Sequence, residues 1–434
     1  MNPTRKGAPE ADMTKVYYSL YDRLLSPESL HRAFRKVKSN HGKPGIDGKT
    51  VEDFANDLTD EIVMLVSELR DKSYQPQPVK RVEILKADGG IRKLGIPTVR
   101  DRVVQQALLE ILQPIFDPTF HPSSYGYRPG RSAHQAIAKA TLFMREYNLR
   151  HVVDMDLSKC FDTLDHELIL SGLRKRIADG SVLGLVRQFL QSGVMTGNGW
   201  EETEVGSPQG GVISPLLANI YLDAFDQHMK TRGHRIVRYA DDILILSRSK
   251  SAAENALKQA SQYLEGELKL TVNQQKTEVV HSSEGVKFLG VVIHTTYTRI
   301  RAEKIRKLKD TVKKITRRNS PVNLVKVITE LNPVLRGFAN YFKTANCSGV
   351  FRELSQWIRR RLRAKQLKLW KKPKRLHRKL RQLGYKGEFM KIKMSSWRNA
   401  ASPLASFALP NDHFRELGLF DLSRVRTGAT VSVN

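Results

Sequence analysis

Cysteine is almost absent: Cys160 and Cys347 are the only two in 434 residues. Two thiols cannot build a disulfide scaffold or a zinc site, so a reducing compartment and no structural zinc are expected. Long apolar runs are absent too, and nothing approaches the roughly 20 residues that a spanning helix needs. Met1 to Met13 carries no apolar core of the kind a signal peptide shows. Acid is scarce relative to base, with 44 Asp plus Glu against 73 Lys plus Arg and a net charge of +29. That balance selects a polyanionic partner. No internal repeat or low-complexity tract interrupts the chain, whose length allows two or three domains with substantial cores.

What is present is organised around Arg238-Tyr239-Ala240-Asp241-Asp242-Ile243-Leu244-Ile245-Leu246. Two apolar, β-branched runs flank adjacent carboxylates, which reads as a hairpin whose tight connection is acidic. Neighbouring carboxylates repel unless a cation lies between them. Magnesium suits such a pair, because it takes oxygen ligands and shares them with substrate phosphates. A second acidic strand precedes it, His151 to Leu157. There Val153, Met155 and Leu157 share one face while Asp154 and Asp156 share the other. Asp156, nearest the strand end, is the better placed to reach a metal. If strand and hairpin are neighbours in one sheet, Asp156, Asp241 and Asp242 converge at one edge, as two-metal phosphoryl transfer requires.

The remaining elements follow from periodicity and caps. Ser26, Pro27 and Glu28 open a helix whose Leu30, Ala33, Phe34 and Val37 recur on one face, with Gly42 to end it. A second helical stretch reaches about Lys72. Val79 to Leu85 and Ile91 to Ile96 read as a hairpin, with Lys86 and Arg92 at its tip. Helices are expected over Asp101 to Phe116, Ala133 to about Tyr147, from Ser214, which caps, and over Ala252 to about Leu268. Val286 to Ile293 reads as one strand. After Arg299 only helices are expected: Arg301 to Arg318, Val322 to Phe342 and Phe351 to about Trp370. Between 351 and 381 fourteen basic residues meet one acid, Glu353. A solvated face would intersperse both signs, so this run reads as a nucleic-acid surface.

The order of these features carries a family resemblance. Asp156 with Phe161 and Asp162, Gly206-Ser207-Pro208-Gln209-Gly210, Tyr239-Ala240-Asp241-Asp242 and Phe288-Leu289-Gly290 together resemble reverse transcriptases. Gly95-Ile96-Pro97, Tyr127-Arg128-Pro129-Gly130-Arg131-Ser132, Ile213-Ser214-Pro215-Leu216-Leu217-Ala218-Asn219 and Leu331-Asn332-Pro333-Val334-Leu335-Arg336-Gly337 narrow the likeness to the reverse transcriptase–maturases of bacterial group II introns. The resemblance implies an α+β right-hand polymerase fold, with fingers and an antiparallel palm sheet followed by a helical thumb. It implies an N-terminal helical extension over 1–75 contacting template or intron RNA, and fingers and palm over 76–296. A maturase thumb over 300–385 and a DNA-binding-like tail over 386–434 follow. No Cys- and His-bearing endonuclease pattern is present, which looks most like the class C subgroup and implies priming from an existing 3′ end.

Carried over residue by residue, the resemblance makes Asp156, Asp241 and Asp242 the catalytic, metal-binding aspartates, with two Mg2+ ions as cofactors and Mn2+ as a substitute. Lys86 and Arg92 would hold the incoming triphosphate, Phe161 would block a ribose 2′-hydroxyl, and Gln209 would frame the nucleotide. Lys276, in an Asn-x-x-Lys-Thr motif, would also serve the nucleotide. Phe288, Leu289 and Gly290 would grip the primer. Arg35, Lys36, Arg128, Arg131, Arg359, Arg360 and Arg363 are the expected RNA contacts. The partners implied are the intron RNA, an RNA template, a DNA primer or target and deoxynucleoside triphosphates, in a bacterial cytoplasm at the nucleoid. A splicing cofactor with a vestigial polymerase, or a domesticated relative in DNA repair or phage defence, remain alternatives at this level.

Overall fold

The computed structural model describes residues 15–85, 90–196, 199–201, 205–206, 210–370, 373–384, 406 and 409–428. Two compact units divide the chain, 1–281 and 282–434.

The first unit begins with three helices, α1 (Pro27–Ser39), α2 (Val51–Asn56) and α3 (Leu58–Arg70). Ser26 accepts the Ser29 N–H and Pro27 takes the first turn, so α1 starts where its cap chemistry dictates. It ends at Ser39, before Gly42, with Asn40 as its C-cap. The second helical stretch is two helices that break at Asp57, α2 opening on a Thr50–Asp53 capping box. Strands β1 (Val79–Leu85) and β2 (Ile91–Ile96) form the expected hairpin. Two short strands that sequence patterning gives no sign of, β4 (Val194–Thr196) and β5 (Gly199–Glu201), extend that sheet to the order β2-β1-β4-β5.

Helix α4 (Val99–Phe116) runs through the middle of the unit, buried nearly all round. Its Asp101 is buried yet satisfied, accepting from the hydroxyls of Tyr74 at 2.6 Å and Thr98 at 2.7 Å. Helix α5 (Ala133–Arg145) opens on a Ser132–Gln135 capping box. After β3 (His151–Met155) come α6 (His166–Arg174), α7 (Gly180–Gln191) and α8 (Ser214–Thr231). The cap of α8 is Ile213, and Ser214 is its first residue.

The second sheet is antiparallel, in the order β6-β7-β3-β8, from β6 (Arg235–Tyr239), β7 (Asp242–Ser247), β3 and β8 (Glu278–His281). Helix α9 (Lys250–Gln262) packs on it and ends in a π-turn, Tyr263–Glu267. One buried apolar cluster runs from Leu20 to Val272, so the N-terminal helices share this core.

In the second unit the expected strand over 286–293 is a hairpin, β9 (Val286–Phe288) and β10 (Val291–Ile293). Leu289 at φ +45 and Gly290 at φ +84 make the two-residue turn. Positive φ at both positions is what a type I′ hairpin requires, and it overrides the apolar run. Strand β11 (Thr298–Ile300) joins them. Helices α10 (Ala302–Ile315), α11 (Leu324–Phe342), α12 (Ser348–Leu369) and α13 (Pro373–Gln382) follow, then the short α14 (Asn411–Glu416). Leu409, Phe414 and Leu422 of this last segment are fully buried.

Candidate active site and nucleic-acid surface

Sheet register brings the acidic strand and the acidic hairpin to one edge. Strand β3 pairs with β7 up to Met155 opposite Ile243, so Asp156 and Asp242 are the next residues at the same end of the two strands. Tyr239 pairs with Asp242, which leaves Ala240-Asp241 as a two-residue turn. Ala240 adopts φ +57, the left-handed region usually left to glycine. Asp154 instead lies mid-strand, between Leu244 and Glu278. Asp156 is held by the segment after α9: Asn273 Nδ2 donates to its carboxylate at 3.1 Å, and the Asn273 N–H donates to its carbonyl at 2.9 Å. The Lys276 ammonium pairs with the same carboxylate oxygen at 3.4 Å. The Asn-x-x-Lys-Thr motif is thus a clasp on Asp156, a role that sequence reasoning did not give it.

Beneath the hairpin lies a buried network that sequence reasoning also missed. Arg238 is 0% exposed and grips both oxygens of Asp226, itself 0% exposed, at 2.7–2.9 Å. The same guanidinium donates to the Ala240 carbonyl at 3.0 Å and to Asn219 Oδ1 at 3.1 Å. Asn219 Nδ2 in turn donates to the Gly126 carbonyl at 2.9 Å. Gly126 has to be glycine, because a Cβ there would collide with the Ala240 backbone. The signal was available in the chain: an arginine inside the run Ile236-Val237-Arg238 needs a buried carboxylate somewhere.

Phe161 sits on a single 3-10 turn, Cys160–Asp162, after Lys159 at φ +48. The Tyr127 ring meets it edge-to-face, with centroids 6.1 Å apart and planes at 79°. Burial pushes the Cys160 thiol up to about 12, and the negative charge of nearby Asp241 adds to the shift. Gly206 lies against the Asp162 backbone at φ +92 and Gly210 against Gly95 at φ +121, so close approach fixes both glycines. Lys86 and Gln209 lie outside the described residues, as does the Arg92 side chain. Phe288, Leu289 and Gly290 form the turn of the second unit's hairpin, where the Tyr341 hydroxyl donates to the Leu289 carbonyl at 2.8 Å.

Several expected RNA contacts are engaged elsewhere, and three of them need correction. The Arg128 side chain is 3% exposed; it pairs with Asp117 at 2.7 Å and donates to the carbonyls of His121, Ser124 and Asp117. A guanidinium so enclosed is unavailable to phosphate. Arg363 is buried, donating to the Leu409 carbonyl and Asn411 Oδ1, both at 2.8 Å. Arg359, with a side chain 12% exposed, pairs with Asp421 at 3.3 Å. Both therefore hold the chain's own 409–421 segment. Arg360 is exposed, as are Arg35 and Lys36, the latter pairing with Glu110 at 3.0 Å. Arg131 is half-buried and donates to the Pro122 carbonyl. The outward cations of this stretch include Arg352 and Arg360 on α12 and Lys374, Arg375, Arg378 and Arg381 on α13, all exposed.

Comparison with known proteins follows the same division. Residues 84–293 match the family model described as reverse transcriptase (RNA-dependent DNA polymerase), and residues 305–384 match the group II intron, maturase-specific domain. Protein YkfC of Escherichia coli (strain K12) is 37% identical over 306 residues, covering 62% of this chain and 80% of that protein. Group II intron-encoded protein LtrA of Lactococcus lactis subsp. cremoris is 28% identical over 438 residues, covering 78% and 72%. Among solved structures, a chain of a partial Cas6-RT-Cas1–Cas2 complex aligns with a TM-score of 0.36 at 25% identity, covering 57% of this chain and 43% of that one. No helix among the described residues is long and apolar enough to cross a membrane.

Proposed function

Because the chain belongs to the family of group II intron-encoded reverse transcriptases that carry a maturase domain, we infer that Asp156, Asp241 and Asp242 form its polymerising edge. The chain is an RNA-directed DNA polymerase joined to a domain that serves group II intron splicing. What supports the assignment is the β3–β7 register, whose last pair, Met155 with Ile243, leaves Asp156 and Asp242 as the next residues at the same end of the two strands.

Reverse transcriptases use divalent metals. Among the described residues no three acidic, His or Cys side chains are gathered tightly enough to enclose an ion alone. Magnesium commonly completes its octahedron with water and substrate phosphates around one or two carboxylates. Bound there, two magnesium ions, or manganese in their place, would activate the primer 3′-hydroxyl and neutralise the departing pyrophosphate. The Lys276 ammonium lies 3.4 Å from the Asp156 carboxylate, and Asn273 fixes the orientation of that carboxylate.

In this reading Phe161 excludes the ribose 2′-hydroxyl, Lys86 and Arg92 hold the triphosphate, and Gln209 frames the base pair. Lys276 faces the same phosphates, and Phe288-Leu289-Gly290 holds the primer end. The exposed cations on α1, α12 and α13 take intron RNA and template, and the net charge of +29 supports a nucleic-acid partner, in this reading at the bacterial nucleoid. Primer extension on an RNA template tests the edge assignment. Asp156→Ala should lose on the order of 100-fold or more in rate, whereas Asp154→Asn should extend primers like wild type. The reverse ranking would move the metal ligand two residues upstream.

A further inference from the structure

We propose that Tyr127 is a specificity-determining residue: its ring fixes Phe161, so that discrimination between deoxy- and ribonucleoside triphosphates belongs to the pair. The proposal rests on Phe161 being the sugar filter.

Phe161 alone is poorly placed to reject one hydroxyl. It rides on a single 3-10 turn and packs only partly buried against the apolar core, so without a second support the ring could still swing aside rather than clash. The edge of Tyr127, 6.1 Å away and near-perpendicular, removes that escape. Tyr127 itself is 47% exposed and adopts φ +56. An exposed aromatic in left-handed backbone is strained, and such strain persists only where the surroundings over-determine it.

Here they do, on both flanks. Upstream, the Tyr125 N–H donates to the Arg238 carbonyl at 2.9 Å, and Asn219 holds the Gly126 carbonyl at 2.9 Å. Gly126 is pressed against the Ala240 backbone. Downstream, the buried Arg128 ties the loop back to its own carbonyls. The loop therefore takes its position from the acidic hairpin, and Tyr127 transmits that position to Phe161. A ring present only for packing would not need an exposed site in strained backbone beside the turn that carries Asp241.

The experiment is single-nucleotide incorporation by the full chain on a primed RNA template, with deoxy- and ribonucleoside triphosphates. Phe161→Ala should lower the ratio of the two kcat/KM values, and Tyr127→Ala should lower it about 2- to 12-fold. Tyr127→Phe, which keeps the ring, should retain the wild-type ratio. Tyr127→Ala in the Phe161→Ala background should add nothing further. An unchanged ratio in Tyr127→Ala overturns the proposal, as does an equal loss for both nucleotides, which would indicate stacking on a base. Independent, multiplying effects in the double variant overturn it too. If Phe161→Ala leaves the ratio untouched, the sugar-filter reading has failed, and the proposal fails with it. Should Tyr127→Ala melt below wild type, Tyr127→Leu keeps the volume without the ring, and the same ratio decides.

Discussion

Arg238 in the first unit and Arg363 with Lys365 in the second are all buried, yet their charges are met by different partners. Burial works against the charge of Arg238, but both oxygens of Asp226 outweigh it and raise the pKa of the guanidinium. Among the described residues Arg363 and Lys365 make no ion pair with a carboxylate, although the charge of Glu330 acts on Lys365. Arg363 donates to the Leu409 carbonyl and to Asn411, and Lys365 donates to the carbonyls of Arg317 and Ser320 at 3.1 and 2.9 Å. Burial lowers the pKa of both. A full ion pair under the acidic hairpin locks one backbone carbonyl, that of Ala240, in place. Dipole-held cations in the second unit tie down loops of their own chain. Buried charge therefore serves position in both units: of the acidic hairpin in one, of a structural segment in the other.

Breaking the ion pair should give the largest effect. Asp226→Ala leaves a buried arginine uncompensated and should cost about 3–5 kcal/mol in a denaturant melt. Asp226→Leu with Arg238→Met should melt close to wild type, since an apolar pair can replace a buried salt bridge. It should nevertheless extend primers about 10- to 100-fold more slowly, because Ala240 no longer has its donor. Wild-type extension by that double variant would reduce Arg238 to a stability element.

An acid-sensitive contact lies beside the same network. The Ser123 N–H donates to His121 Nδ1 at 3.1 Å, while Ser123 O accepts the Arg238 N–H at 3.0 Å. Burial lowers the pKa of His121 to about 4, with the cations of Lys230, Arg238 and Arg128 assisting and Asp226 opposing. Unfolded, the imidazole binds its proton near pH 6.5, so the folded state holds fewer protons between 6.5 and 4. Stability from His121 is complete above 6.5 and falls as pH drops toward 4, by at most about 3 kcal/mol. Asp223, raised to about 6 by burial and by Asp226, works in the opposite direction: its contribution is present in acid and lost as pH rises through 6. Melts of His121→Asn against wild type over this range isolate the histidine, and parallel curves would exclude it.

The surface cations give smaller effects and separate the two kinds of arginine directly. Changing Lys374, Arg375, Arg378 and Arg381 together to Gln should flatten the salt dependence of RNA binding, by about 0.7–0.9 in log–log slope for each phosphate they neutralise. Arg359→Gln with Arg363→Gln should leave that slope alone. It should instead speed amide exchange across 409–421, at a local cost of about 1–3 kcal/mol.

Much of the acidic edge was legible in the chain because its elements are local. The alternation of β3, the Asp241-Asp242 tip and the Ser26 cap are all set by nearest neighbours. The 286–293 hairpin was misread because Leu289 fits a strand by hydropathy while its backbone, at φ +45, does not. The cations of α12 were misread for a different reason. Which of them face solvent depends on a segment that returns some 50 residues later to cover Arg359 and Arg363. The Arg238–Asp226 pair and the clasp of Asn273 on Asp156 are likewise long-range, and only the fold brings the partners together.

The most direct test is one protein, Asp241→Ala with Asp242→Ala, assayed for primer extension on an RNA template and for splicing of the parent intron. Extension needs carboxylates at the edge where β3 meets β7, whereas splicing asks the protein only to bind and stabilise folded RNA. The account predicts no detectable extension, splicing close to wild type and an unchanged melt. Retained extension would contradict the assignment of the catalytic edge, and a failure to splice at wild-type stability would contradict the separation of the two activities.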